Sequence, residues 1–166
     1  MVEGDHRSGG IVKIGEILTE TMVLAQLSAA DKEGVLTELA SHLHAHAADV
    51  PGGAQDVLRA LIDRERLGST GVGEGVAIPH AKIPGLNRLV ACFGRAIQGI
   101  AFDSIDQQPV RLFFVLLVPE NSAGAHLKAL ARISRLLKDS SFRKTLLEFP
   151  DQAAIYNGFL EEDDKY

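Results

Sequence analysis

The sequence predicts an α/β domain with a central β-sheet covered by helices, and three observations predict it. Between residue 11 and about residue 158 the apolar residues keep switching between a helical and a strand period. Residues 110–118 are apolar nearly throughout, as in a strand covered on both faces. With 166 residues, 46% of them hydrophobic and 23% charged, the chain suffices for one packed core and leaves no room for two large domains.

Each element has a local reason. Ser28 and Asp31 are cap residues ahead of a helix over residues 32–46, where Val35, Leu36, Leu39 and Leu43 form one apolar face. Pro51-Gly52-Gly53 stops it. A second helix, residues 54–67, turns Val57, Leu58, Leu61 and Ile62 inward and ends at Gly68. Residues 68–75 hold four glycines in eight positions and read as a loop, followed by the extended piece Val76-Ala77-Ile78-Pro79. Residues 89–95 and 110–118 read as strands. Helices follow at residues 125–138, 141–148 and 151–160, the first burying Leu127, Leu130, Ile133, Leu136 and Leu137. Residues 1–10 are polar and glycine-bearing and read as a disordered start. Residues 11–160 form the single domain, and residues 161–166 read as a solvated acidic tail.

Composition excludes several classes of function. Lysine plus arginine total 17 against 22 acids, a net charge of −5, so a general nucleic-acid binder is not expected. The longest apolar run, residues 112–118, falls short of the roughly 20 residues a membrane span needs. No signal-peptide pattern opens the chain. The single cysteine, Cys92, precludes an internal disulfide framework, fits a cytoplasmic location and reads as buried filler in a strand.

The chemistry concentrates in residues 63–82, Asp-Arg-Glu-Arg-Leu-Gly-Ser-Thr-Gly-Val-Gly-Glu-Gly-Val-Ala-Ile-Pro-His-Ala-Lys. Pro79 fixes its own φ and biases Ile78 toward extended geometry, so His80 leaves a restrained strand end. Glycine loops let backbone N–H groups form an anion-binding nest. Arg64 or Arg66 can supply the cation that pairs with phosphate oxygens. Together these suit a neutral imidazole that attacks phosphorus while nearby cations neutralise the oxygens and keep the ring unprotonated. Residue by residue, the same pattern also makes an ordinary surface turn with a histidine beside it. Ser69 and Thr70 fit either phosphoryl contacts or turn stabilisation.

In its order and spacing the stretch Gly68-Ser69-Thr70-Gly71-Val72-Gly73, then Val76-Ala77-Ile78-Pro79-His80, resembles the IIA component of the phosphoenolpyruvate phosphotransferase system. The similarity is to its mannitol/fructose family, most of all to the nitrogen-regulatory branch. A second block agrees: Phe102-Asp103-Ser104-Ile105-Asp106-Gln107-Gln108-Pro109-Val110, the apolar strand to Val118-Pro119, then His126-Leu127-Lys128. The resemblance covers residues 11–158 and implies a mixed sheet flanked by helices on both faces, in three layers. It implies that His80 accepts a phosphoryl group from an HPr-like nitrogen-branch phosphocarrier supplied by Enzyme I. Arg64 would stabilise the phosphoryl oxygens, and His126 would orient His80 or bond the phosphoryl group. The protein would be a stoichiometric relay rather than a multiple-turnover metabolic enzyme, needing no cofactor and no metal. It would be a monomer or dimer acting on targets such as potassium-transport or sensor-kinase components.

Two alternatives accompany this expectation. One is a sugar-specific IIA unit that passes phosphate to a fructose or mannitol IIB domain, although no IIB, IIC or HPr segment occurs within the chain. The other is an interaction module that is no longer phosphorylated. Its one hint is Ala81, where relatives usually carry glycine, because alanine resists positive φ. A histidine-dependent hydrolase or metalloenzyme would need an activated serine or a second ligand set, and neither is apparent. His42 and His46 share a helix side while His44 points elsewhere, and with no acidic or cysteine ligand beside them they read as surface residues.

Overall fold

The computed structural model describes residues 12–166. Residues 1–10, expected to be disordered, lie outside the described residues. Among the described residues there are six strands and five helices. The strands are β1 (Val23–Leu24), β2 (Gly71–Gly73), β3 (Val76–Ala77), β4 (His80–Ile83), β5 (Val90–Ile100) and β6 (Val110–Pro119). The helices are α1 (Lys32–His46), α2 (Ala54–Arg66), α3 (Ala123–Lys138), α4 (Ser140–Glu148) and α5 (Gln152–Asp163). No helix among the described residues is long and apolar enough to cross a membrane.

Three aspartates cap helices; of the two cap residues the sequence suggests for α1, Asp31 is the cap and Ser28 is not. The Asp31 carboxylate accepts the Gly34 N–H at 2.7 Å, Asp139 accepts those of Ser141 and Phe142, and Asp151 accepts that of Ala154. The sheet is mixed and runs β1-β5-β6-β3-β2, with β4 also on β6. β5 and β6 are antiparallel; β1 lies parallel to β5, and β3 and β4 parallel to β6. Neighbouring residues of β6 point to opposite faces. Phe114 meets Phe159 of α5 at 5.5 Å between ring centroids, whereas Phe113 meets Phe102, whose other contact is Lys32 of α1. Helices therefore cover both faces, as expected.

The expected loop over residues 68–75 is partly strand. Gly71–Gly73 folds back antiparallel on Val76–Ala77, because glycine lets Gly73 and Gly75 take φ of +100° and +78° and closes a tight hairpin. The extended piece after it does not end at Pro79. It resumes as β4, so two short strands occupy one edge of β6, pairing Ala77 with Phe113 and His80 with Leu116.

A second correction concerns the acidic end. Helix α5 runs on to Asp163, and Asp163 is 2% exposed rather than solvated. Its carboxylate accepts Arg132 Nε of α3 at 2.5 Å and the Ile14 backbone N–H at 2.7 Å. A run of like charges read along the chain cannot show that one member faces a cation 31 residues away. Breaking a buried ion pair from one side strands the other charge. Asp163→Ala should therefore lower unfolding stability by about 3 kcal/mol, measured by urea denaturation.

Candidate functional site

The site forms where β4 and α3 meet at the C-terminal end of β6. Pro79 has no N–H to give β6, and the register with β6 is the same on both sides of it. Ile78 then turns both backbone groups elsewhere: its N–H donates to the Thr70 carbonyl at 2.9 Å, and its carbonyl accepts His80 Nδ1 at 2.9 Å. The Pro79 carbonyl takes the Leu116 N–H at 2.9 Å, and pairing resumes at His80. After Pro119 the chain turns at once into α3, where the His126 N–H donates to the Ser122 carbonyl in the first turn. His126 is thereby set edge-on to His80, with 5.4 Å between ring centroids and 60° between planes.

The tautomer of His80 follows from its partner. A carbonyl oxygen only accepts, so Nδ1 carries the proton and Nε2 keeps its lone pair. Burial pushes the His80 pKa below its ordinary value; the Ile78 bond and Glu65 oppose that, while the Arg64 charge adds to it. His126 is lowered by burial first, then by His80, Lys82 and Arg64. Its Nε2 is buried and has no hydrogen-bond partner among the described residues. The first turn of α3 adds the positive end of a helix dipole. Two neutral imidazoles within a positive potential can supply a nucleophilic nitrogen and a donor for an anionic group.

Arg64 joins this cluster and Arg66 does not. Arg64 Nη1 donates to the Gly68 carbonyl at 2.9 Å, which holds the guanidinium against the start of the glycine loop. Two residues along a helix are about 200° apart, so Arg66 faces the groove between α1 and α2 and pairs with Asp63 at 3.7 Å. Residues 16–162 match the family described as "Phosphoenolpyruvate-dependent sugar phosphotransferase system, EIIA 2". The chain belongs to this family. It is 43% identical over 145 residues to the nitrogen regulatory protein of Bradyrhizobium diazoefficiens, covering 87% of this chain and 92% of that protein. It is 36% identical over 152 residues to the fructose-specific EIIABC component of Bacillus subtilis, covering 92% of this chain and 24% of that protein. The crystal structure of nitrogen regulatory protein IIA-Ntr from Neisseria meningitidis superposes with a TM-score of 0.82 at 33% identity, covering 88% of this chain and 98% of that one.

In this EIIA domain the two hydroxyls of the glycine loop are turned inward. Ser69 Oγ donates to the Phe102 carbonyl at 3.1 Å and accepts the Gly71 N–H at 3.0 Å. Thr70 is buried, and both its N–H and its hydroxyl donate to Glu65 Oε1. These bonds hold the loop in place. Ala81 sits in regular strand pairing with Leu117, its φ is not positive, and glycine's freedom is not needed there.

Sequence reasoning missed Glu65, a carboxylate 7% exposed, and Lys82, a cation on the same face of β4 as His80. The alternation of β4 was the available signal for Lys82. Of the histidines on α1, His42 Nε2 meets the Thr21 carbonyl and His46 Nδ1 that of His42. Among the described residues no group of three His, Cys, Asp or Glu could hold a metal ion.

Because both site histidines have lowered folded pKa values, their neutral forms favour the fold. That contribution is complete above the unfolded value of about 6.5 and is lost as pH falls through the folded values. NMR titration should give both midpoints below about 6.5, and Arg64→Ala should raise both. Midpoints at or above that value would contradict the electrostatics of the site.

Proposed function

We propose that this protein is a cytoplasmic phosphocarrier that accepts a phosphoryl group on His80 Nε2 from the phosphohistidine of an HPr-like nitrogen-branch carrier, itself charged by Enzyme I. The observation that carries this reading is the bond from His80 Nδ1 to the Ile78 carbonyl, which leaves Nε2 as the nucleophilic nitrogen. In the transfer, the Nε2 lone pair bonds phosphorus as the phosphorus–nitrogen bond to the donor imidazole breaks, and that imidazole keeps the electron pair. Arg64 neutralises the phosphoryl oxygens, and the buried Nε2 of His126 is the group that meets one of them. Leu67, beside the Arg64 turn, is 84% exposed, and Leu127, expected to face inward, is instead 68% exposed beside His126. Apolar side chains flanking a charged centre support a protein rather than a free metabolite as donor.

The identity to the nitrogen regulatory protein of Bradyrhizobium diazoefficiens supports a regulatory output. A phosphoryl group on His80 changes the charge of the docking face, and target proteins then distinguish the two states. Potassium-transport and sensor-kinase components are the target classes we propose. The similarity to the fructose-specific component of Bacillus subtilis favours one second reading, transfer onward to a sugar IIB domain.

Incubation with Enzyme I, the nitrogen-branch carrier and phosphoenolpyruvate should add one acid-labile phosphoryl group by intact mass, absent in His80→Ala. Arg64→Ala should slow the transfer by about 10²-fold with the fold intact by circular dichroism. An adduct that persists in His80→Ala would refute the acceptor role. Rapid onward transfer to an isolated fructose or mannitol IIB domain would favour the second reading.

A further inference from the structure

Glu65 is a buried carboxylate that no step of the transfer uses, and its surroundings are specific. Oε1 accepts the Thr70 N–H at 3.0 Å and the Thr70 hydroxyl, while Oε2 faces Lys32 Nζ of α1 at 2.9 Å. Burial alone would push the Glu65 carboxyl up, but its polar neighbours, the Thr70 hydroxyl first and Lys32 with it, outweigh burial and hold it below its ordinary value. Lys32 is itself fixed, by Asp103 at 3.4 Å and by the face of the Phe102 ring at 4.9 Å. From Thr70 the bonding continues without a gap: the Thr70 carbonyl holds the Ile78 N–H, and the Ile78 carbonyl holds His80 Nδ1.

The geometry points to Lys32 and Glu65 as positioning residues for His80, an ion pair on two helices that sets the imidazole through Thr70 and Ile78. The role rests on the phosphoryl-acceptor reading of His80. Glu65 fixes the loop residue whose carbonyl holds the Ile78 N–H. Lys32 adds to the Thr70 bonds in keeping the carboxylate ionised, and it offsets the negative charge that Glu65 would otherwise present to His80. An unpartnered Glu65 would favour the imidazolium, which has no lone pair on Nε2. The charged and titratable groups facing His80 are Arg64 and Glu65 from α2, Lys82 from its own strand and His126 from α3.

The test uses Lys32→Gln, Glu65→Gln and Lys32→Arg in the full chain, with two readouts. The first is the NMR titration of His80. Lys32→Gln uncovers the Glu65 charge and should raise the midpoint, Glu65→Gln removes that charge and should lower it, and Lys32→Arg should restore the wild-type value. Generic loosening of the fold would not move the two charge variants in opposite directions. The second is single-turnover phosphorylation by the charged carrier, expected to slow roughly three- to tenfold in both glutamine variants and to recover in Lys32→Arg. Lys32 opens α1 with its side chain 27% exposed, so its variants report even if Glu65→Gln does not fold. Shifts of the same sign, or a wild-type midpoint and rate in Lys32→Gln, would overturn the inference. A wild type that takes no phosphoryl group refutes the acceptor reading itself, and with it the kinetic role; the opposite titration shifts would then still establish the electrostatic coupling.

Discussion

Strand β6 carries β3 and β4 along one edge in a single register, and the site depends on how the backbone is bonded at Ile78 and Pro79 between them. Ile78 turns its N–H and its carbonyl away from β6, while the next carbonyl, that of Pro79, takes the Leu116 N–H of β6. Ile78 therefore bonds the glycine loop through its N–H and the His80 ring through its carbonyl, which connects loop geometry to the tautomer of a histidine. Pairing resumes at His80, which ties the backbone beneath that ring to the most buried strand of the domain.

Charge is organised around the same point. The chain as a whole is acidic, yet Arg64, Lys82 and the first turn of α3 all present positive potential to the two imidazoles. Burial and these cations act in the same direction, favouring neutral rings. The one buried anion nearby, Glu65, is matched by Lys32, so its hydrogen-bonding capacity is kept while its charge is balanced. The 102–109 segment braces this arrangement from outside. It receives Ser69 at the Phe102 carbonyl, offers the Ile105 N–H to Gly71, holds Lys32 through Asp103 and takes the Glu74 N–H on Asp106. That explains physically why a second motif so distant in sequence accompanies the glycine loop.

Much of this was legible in one dimension. Helix α1 begins and ends as its cap and its Pro-Gly-Gly stop indicate, since those signals act within a few residues. The placement of His80 behind Pro79 was equally local. What escaped the sequence reading was non-local. The hairpin within the glycine loop needs β6 as a template, and the extension of α5 to Asp163 needs Arg132. That Ser69 meets the Phe102 carbonyl likewise depends on the fold bringing the two segments together.

The amino-acid sequence by itself determined the class of fold, the order of its elements and the histidine at the centre of the site, because periodicity, caps and proline geometry are properties of neighbouring residues. The resemblance already pointed to Arg64 and His126; the tertiary structure gave their placement against that histidine, turned Arg66 away from it, and set a Lys32–Glu65 pair with a buried carboxylate behind it. These depend on distances between residues tens of positions apart, which the chain acquires only when helices close over both faces of β6.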